Sequence, residues 1–153
     1  MPFPLSRKLP MDNLRQRFFF PDTDLRGEYV RLESALTPVL QARDYPLEIQ
    51  SQLAEALVAA CLMAGTLKFD GRLTLQAQGQ GELSLLLAEA THDDTVRGLA
   101  HWKHPVAESE LPDLKSLLGD QAMMAITLKP QHGKDYQSLV PLASRDLAAC
   151  LGD

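Results

Sequence analysis

The sequence predicts an α+β fold: an antiparallel meander sheet with one long buried helix and short flanking helices. Apolar residues recur at helical spacing from Leu47 to Ala64. After Gly65 the period switches to two, in short runs separated by turn residues. With 153 residues, 45% of them hydrophobic and 23% charged, the chain has the size and balance of one folded domain.

Residues 1–16 hold three prolines and read as an irregular arm. Arg17-Phe18-Phe19-Phe20-Pro21 reads as a strand that Pro21 closes or confines to an edge. Pro21-Asp22-Thr23-Asp24 is turn chemistry, and Arg26 to Leu32 alternates as a second strand. Ser34 opens a short helix over 35–43, with Pro38 near its first turn. Pro46 then stands at N1 of the long helix. Its first half is amphipathic, with Glu48, Gln50, Ser51, Gln52 and Glu55 outward; from Ala56 to Thr66 it is apolar on every side, as a helix buried all round would be.

Leu67 and Phe69 start the alternating region, and Asp70-Gly71 reads as a hairpin turn before Leu73, Leu75 and Ala77. Gly79-Gln80-Gly81 is the next turn. Glu82 to Ala90 follows, with Leu83, Leu85 and Leu87 on one face and Leu86 and Ala88 on the other. Thr91-His92-Asp93-Asp94 turns into Thr95 to Trp102, completing a four-strand meander. Residues 103–112 read as loop, Asp113 to Leu118 as a short helix ended by Gly119, and Met123 to Leu128 and Tyr136 to Val140 as paired strands. Ser144 caps a last helix, Arg145 to Leu151.

Fifteen Lys and Arg against twenty Asp and Glu give a net charge of −5. Without a basic run, such a chain is a poor partner for nucleic acid phosphates or an anionic membrane. The longest apolar run, Leu53 to Leu67, falls short of the roughly 20 residues that span a bilayer, and Met1-Pro2-Phe3-Pro4 lacks the pattern of a signal peptide. Cys61 and Cys150 sit in apolar runs and read as small buried hydrophobes. A chain without a disulfide framework suits a reducing cytoplasm.

Catalytic signatures are missing. No P-loop, dinucleotide-binding, zinc-protease or nucleophile-elbow pattern occurs. His92 beside Asp93-Asp94, and His101 with His104, are the polar clusters that a small-molecule enzyme could use. They read more simply as turn and loop residues, so neither a catalytic residue nor a metal ligand is expected. More informative is the apolar surplus in Phe18-Phe19-Phe20, Met123-Met124 and the long helix, which suits contact with other proteins.

Several strings then occur in a telling order. Leu25-Arg26-Gly27-Glu28 comes first, then Ala64-Gly65-Thr66-Leu67-Lys68-Phe69-Asp70-Gly71, Gln76 to Gly81, and Val96-Arg97-Gly98-Leu99-Ala100. Asp113 to Gly119, Ala125 to Pro130, Tyr136 to Val140 and Leu147 to Leu151 complete the series. In this order the chain resembles the N-terminal core domain of the redox-regulated heat-shock chaperones of thirty-three kilodaltons, the 33 kDa chaperonin family. The element Lys68-Phe69-Asp70-Gly71, with Arg97 and Gly98, carries the resemblance most specifically.

The resemblance implies an ATP-independent holdase of the cytoplasm. It would bind unfolding or oxidatively damaged proteins, form a dimer and pass clients to ATP-driven foldase chaperones. It also implies a helical linker and a C-terminal domain in which four cysteines hold zinc and release it on oxidation. Neither cysteine motif stands in this sequence, so residues 1–153 are expected to be a shortened core domain with no cofactor of its own. The expected client-binding residues are Phe18, Phe19 and Phe20, with Leu47, Leu53, Leu57 and Val58 on the long helix. A homodimerisation scaffold without client binding, or an enzyme at the histidine clusters, are the competing readings.

Overall fold

The computed structural model describes residues 13–67, 70–103, 113–142 and 147–152. Its strands are β1 Leu14–Phe19, β2 Arg26–Arg31, β3 Gly71–Gln78, β4 Leu83–Thr91, β5 Val96–Trp102, β6 Met123–Pro130 and β7 Tyr136–Pro141. Its helices are α1 Leu36–Gln41, α2 Leu47–Ala64, α3 Leu114–Leu118 and α4 Leu147–Gly152. The fold is α+β, as the periodicity predicts. β1 and β2 form a separate antiparallel ribbon, and the other strands form one antiparallel sheet in the order β5-β4-β3-β6-β7.

α2 lies across one face of that sheet. Ile49, Leu53, Leu57 and Ala60 are fully buried against Leu73, Leu75, Leu86, Ala88 and Ala100. Each large side chain so buried contributes roughly 1.5–3 kcal/mol. Pro46 stands one place earlier than expected, at the N-cap, where its missing N–H costs nothing. By length and composition alone α2 is long and apolar enough to cross a membrane, at 18 residues and a mean hydropathy of 1.2. That corrects the expectation drawn from Leu53 to Leu67. In this fold the fully buried apolar residues of α2 are packed on the sheet, while Leu62 and Met63 near its C-terminus are half-buried beneath the ribbon.

Three sequence expectations change. Asp70-Gly71 is no hairpin turn, because β3 begins at Gly71, which pairs with Pro130 of β6. A Cβ at Gly71 would strike the Lys129 backbone, so the residue serves a close strand approach. The sheet is not a simple four-strand meander, since β6 pairs with β3 on the side opposite β4. Arg15 and Leu14 belong to a strand rather than to an irregular arm.

The fourth change is in β4. Its register shifts between Leu83 and Leu85. That irregularity turns Leu83 into the core, fully buried, beside Leu86, Ala88 and Ala90. Leu85 and Leu87 stay on the opposite face, so the expected grouping of 83 with 85 and 87 is broken.

The remaining connections follow their local chemistry. The Asp113 side chain accepts a bond from Ser116 N–H at 2.7 Å and caps α3. Gly119 ends it at φ 93°, a left-handed conformation that glycine takes freely. Tyr45 is buried, its ring 5.0 Å from that of Trp102, and its hydroxyl accepts from Ala100 N–H at 3.3 Å. The arm at 1–12, most of the 103–112 loop, and Ser144 and Arg145 lie outside the described residues.

Candidate functional site

The face of the sheet turned away from α2 is set by register. Leu87 pairs with Leu99 of β5 and Gln76 of β3, Gln76 pairs with Ala125 of β6, and Ala125 pairs with Leu139 of β7. This row therefore crosses all five strands and is interrupted only by Gln76. One pairing further on, Leu85 and Met123 lie on the same face. Leu85, Leu87, Leu99 and Ala125 are half-buried, while Met123 and Leu139 are 42% and 63% exposed. Solvated antiparallel sheet faces usually alternate to polar residues. Here an apolar band remains, of the kind that marks protein contact.

The ribbon carries a second apolar cluster. Phe18, Phe19 and Phe20 are 45%, 69% and 50% exposed, and Leu25 and Tyr29 are exposed beside them. Phe18 stands edge-on to Phe20, with ring centroids 5.8 Å apart. Phe18 also pairs with Gly27, and a Cβ there would enter its ring. The glycine therefore lets an aromatic lie flat across the strand. Asp22, at φ 61°, and the Thr23 hydroxyl, which donates to Phe20 C=O at 2.9 Å, shape the turn that follows.

The expected helix residues divide. Leu47 is 72% exposed at the start of α2, and Val58 is half-buried. Leu53 and Leu57 are fully buried, and a Cβ at Gly98 would stand 3.1 Å and 3.2 Å from their methyl groups. They are core side chains and form no surface in this fold, so the expectation that they bind clients directly does not fit their burial. The pattern from Leu47 to Ala64 is apolar enough that either reading fitted it.

Of the residues carrying the family-like element, Lys68 and Phe69 lie outside the described residues. Asp70 closes the β3–β6 end, its carbonyl accepting from Gln131 N–H at 2.9 Å. Gly71 N–H donates to His92 Nδ1 at 3.0 Å. Arg97 donates to Glu89 through Nη2 at 2.8 Å and through Nε at 3.1 Å, across the β4–β5 pair. Gly98 admits Leu53 and Leu57. These residues hold the sheet and its helix together.

The histidine clusters do not converge. His92 and Asp94 sit in the β4–β5 turn, and His101 pairs with Leu85 near the other end of that hairpin. His104 lies outside the described residues. The Thr91 hydroxyl bonded to the Asp93 carboxylate holds that acid below its ordinary range. Asp94 faces Arg15 at 2.9 Å. His92, Asp93 and Asp94 thus each have a local structural partner, and among the described residues no three His, Cys, Asp or Glu side chains are grouped to hold a metal.

Fold and surface together define an α+β domain whose open sheet face carries an apolar band, broken at Gln76 and Gln78 of β3, and among the described residues the histidine and acidic clusters form no convergent polar site. Comparison with known proteins gives the family. The model of the Hsp33 protein family matches residues 13–153. The chain is similar to the 33 kDa chaperonin of Hahella chejuensis, with 49% identity over 139 residues, covering 91% of this chain and 48% of that protein. It is similar to the 33 kDa chaperonin of Neisseria meningitidis at 40% identity over 139 residues, 91% of this chain and 46% of that one. The crystal structure of the Thermotoga maritima 33 kDa chaperonin has the same fold, with a TM-score of 0.80 at 23% identity, over 92% of this chain and 49% of that one.

The chain belongs to the Hsp33 family. It spans about half the length of the curated relatives it matches. The open-face residues Leu85, Leu87 and Leu99 were missed as a surface by sequence reasoning. Their signal was present in Leu85-Leu86-Leu87-Ala88, which is apolar on both faces of a strand.

Proposed function

We propose that this domain is the client-holding core of an ATP-independent chaperone. Unfolding or oxidatively damaged proteins would lie on the open sheet face and on the aromatic ribbon. The apolar band of Leu85, Leu87, Leu99, Ala125, Met123 and Leu139 is the observation that carries the reading. Burial of such surface contributes roughly 25 cal/mol per Å² and needs no sequence motif in the client. That suits a protein that must accept many clients, and Phe and Met side chains adapt to varied partners. Phe18, Phe19, Phe20 and Leu47 would offer further exposed apolar contacts apart from the open face, on the side of the molecule that carries α2; Leu53, Leu57 and Val58 support the fold from the core or its margin.

On this reading the domain performs no catalysis and needs no cofactor. Redox gating and zinc would reside outside residues 1–153, the chain would work in the cytoplasm, and ATP-driven foldases would receive the released clients. Light scattering of a thermally unfolding client tests the holding step. Suppression without ATP supports it, and aggregation unchanged at excess chain removes it.

A homodimer scaffold is the second reading, and one observation favours it. β7 is uncharged from Tyr136 to Val140, with Tyr136 and Leu139 exposed on opposite faces. An edge without charge or bulge is open to pairing with another copy. Sedimentation across a concentration series separates a dimer from a monomer.

A further inference from the structure

We propose that the β1–β2 ribbon is a lifting cover over the C-terminal half of α2, held shut by Arg15 and Arg17, and that its release uncovers a second apolar surface. The use of that surface by clients rests on the function proposed above; the lifting itself does not.

The ribbon's inner face is mostly charged. Register pairs Arg15 with Val30 and Arg17 with Glu28, which places these four side chains on one face. Val30 alone among them is apolar. Beneath lies the stretch Cys61-Leu62-Met63-Ala64, with no polar side chain apart from the thiol. Val30, with Leu32 just past the ribbon, packs on the core, and the rest of this face is held by a few polar contacts. Arg17 Nη2 donates to Gly65 C=O at 2.7 Å, at the negative end of the helix dipole. Arg15 Nη2 stands 2.9 Å from Asp94 Oδ1 of the β4–β5 turn, and its Nη1, 3.3 Å from Glu28 Oε1, is steadied within the ribbon itself.

The packing between ribbon and helix is also loose. A cleft of about 420 Å³ separates them, lined by Arg17, Gly27, Glu28, Leu62, Met63 and Leu67 among others. Solvent-accessible ion pairs contribute only about 0–1 kcal/mol each. A two-stranded ribbon is marginal by itself. Such a unit opens at a free energy far below that of global unfolding. Opening would bare Cys61, Leu62, Met63 and Leu67.

Cys61 reports the motion. It is 3% exposed and lies with Arg15, Val30 and Asp94 around a cavity under the ribbon. The experiment measures maleimide labelling of Cys61 in the full chain carrying Cys150→Ser, under native conditions. When closing is fast, the labelling rate follows the open population. Arg15→Ala and Arg17→Ala should each raise the rate roughly two- to fivefold, and the double variant roughly tenfold. About 0.5 M NaCl should raise it in the parent and have little effect in the double variant.

Arg15 itself favours the Cys61 thiolate, so its loss without opening would slow labelling. Rates unchanged in both variants and in salt would overturn the cover. So would rises that only follow a lower urea midpoint. Failure of client holding with these rates as expected would remove the client reading and leave the cover standing.

Discussion

Leu87 on β4 and Leu99 on β5 face each other across the strand pair on the side of the sheet that α2 does not cover. Their neighbours Leu86 and Ala100 form the matching pair on the covered side, both buried. One strand pair thus feeds two apolar surfaces, one spent on the core and one left for contact.

The two surfaces should respond differently to mutation. Leu53→Ala removes a fully buried side chain and should cost about 2–5 kcal/mol in urea unfolding. Leu87→Ser with Leu99→Ser alters half-buried positions and should cost about 1 kcal/mol or less for each. Equal losses would mean that the open face is also core.

Gly98 is predicted to be intolerant. A methyl there meets Leu53 and Leu57 at 3.1 Å and 3.2 Å and the Leu87 carbonyl at 3.2 Å. Gly98→Ala should lower stability by about 1–3 kcal/mol, through forced repacking of α2 on β5. Thermal unfolding checks it.

Tyr45→Phe keeps the ring on Trp102 and removes the hydroxyl that Ala100 N–H bonds. Ala100 is fully buried, so its donor loses a partner. A loss of about 1–3 kcal/mol is expected, with faster hydrogen exchange at the Ala100 amide.

Burial raises the Cys61 thiol pKa, and Arg15 offsets part of that rise. The unfolded thiol ionises first, so the folded chain binds more protons above its ordinary pKa of about 8.5. The stability that this group contributes is complete below that pH and declines as pH rises through the folded-state value. Cys61→Ala should flatten the alkaline limb of a stability-against-pH curve.

Much of the fold was legible because two periods alternate along the chain. The helical repeat marked α2 within a residue or two, the pair Gly79/Gly81 marked its turn, and Gly119 marked the end of α3, whereas Asp113, read as the first residue of that helix, is its N-cap. Local signals could not show that β6 returns to β3, since that choice depends on contacts distant in sequence. Asp70-Gly71 misled because a glycine needed for close strand approach has the same spelling as a hairpin turn. The candidate surface was half legible. The three phenylalanines were visible as an apolar excess. The open sheet face stayed hidden because Leu85-Leu86-Leu87-Ala88 is apolar on both faces, and the β4 irregularity at Leu83/Leu85 takes Leu83 out of the grouping with 85 and 87. No parity rule foresees that shift. Leu53 and Leu57 could not be assigned from sequence, because a buried helix and a binding helix share one apolar pattern.

The most direct test of client holding is light scattering of an unfolding client, without ATP and under fully reducing conditions. It compares this chain with its Leu87→Ser/Leu99→Ser variant. Suppression by the parent, reduced severalfold in a variant that remains folded, is the expected result. No suppression by the parent at excess, or equal suppression by both chains, would contradict the assignment of clients to the open face of the sheet.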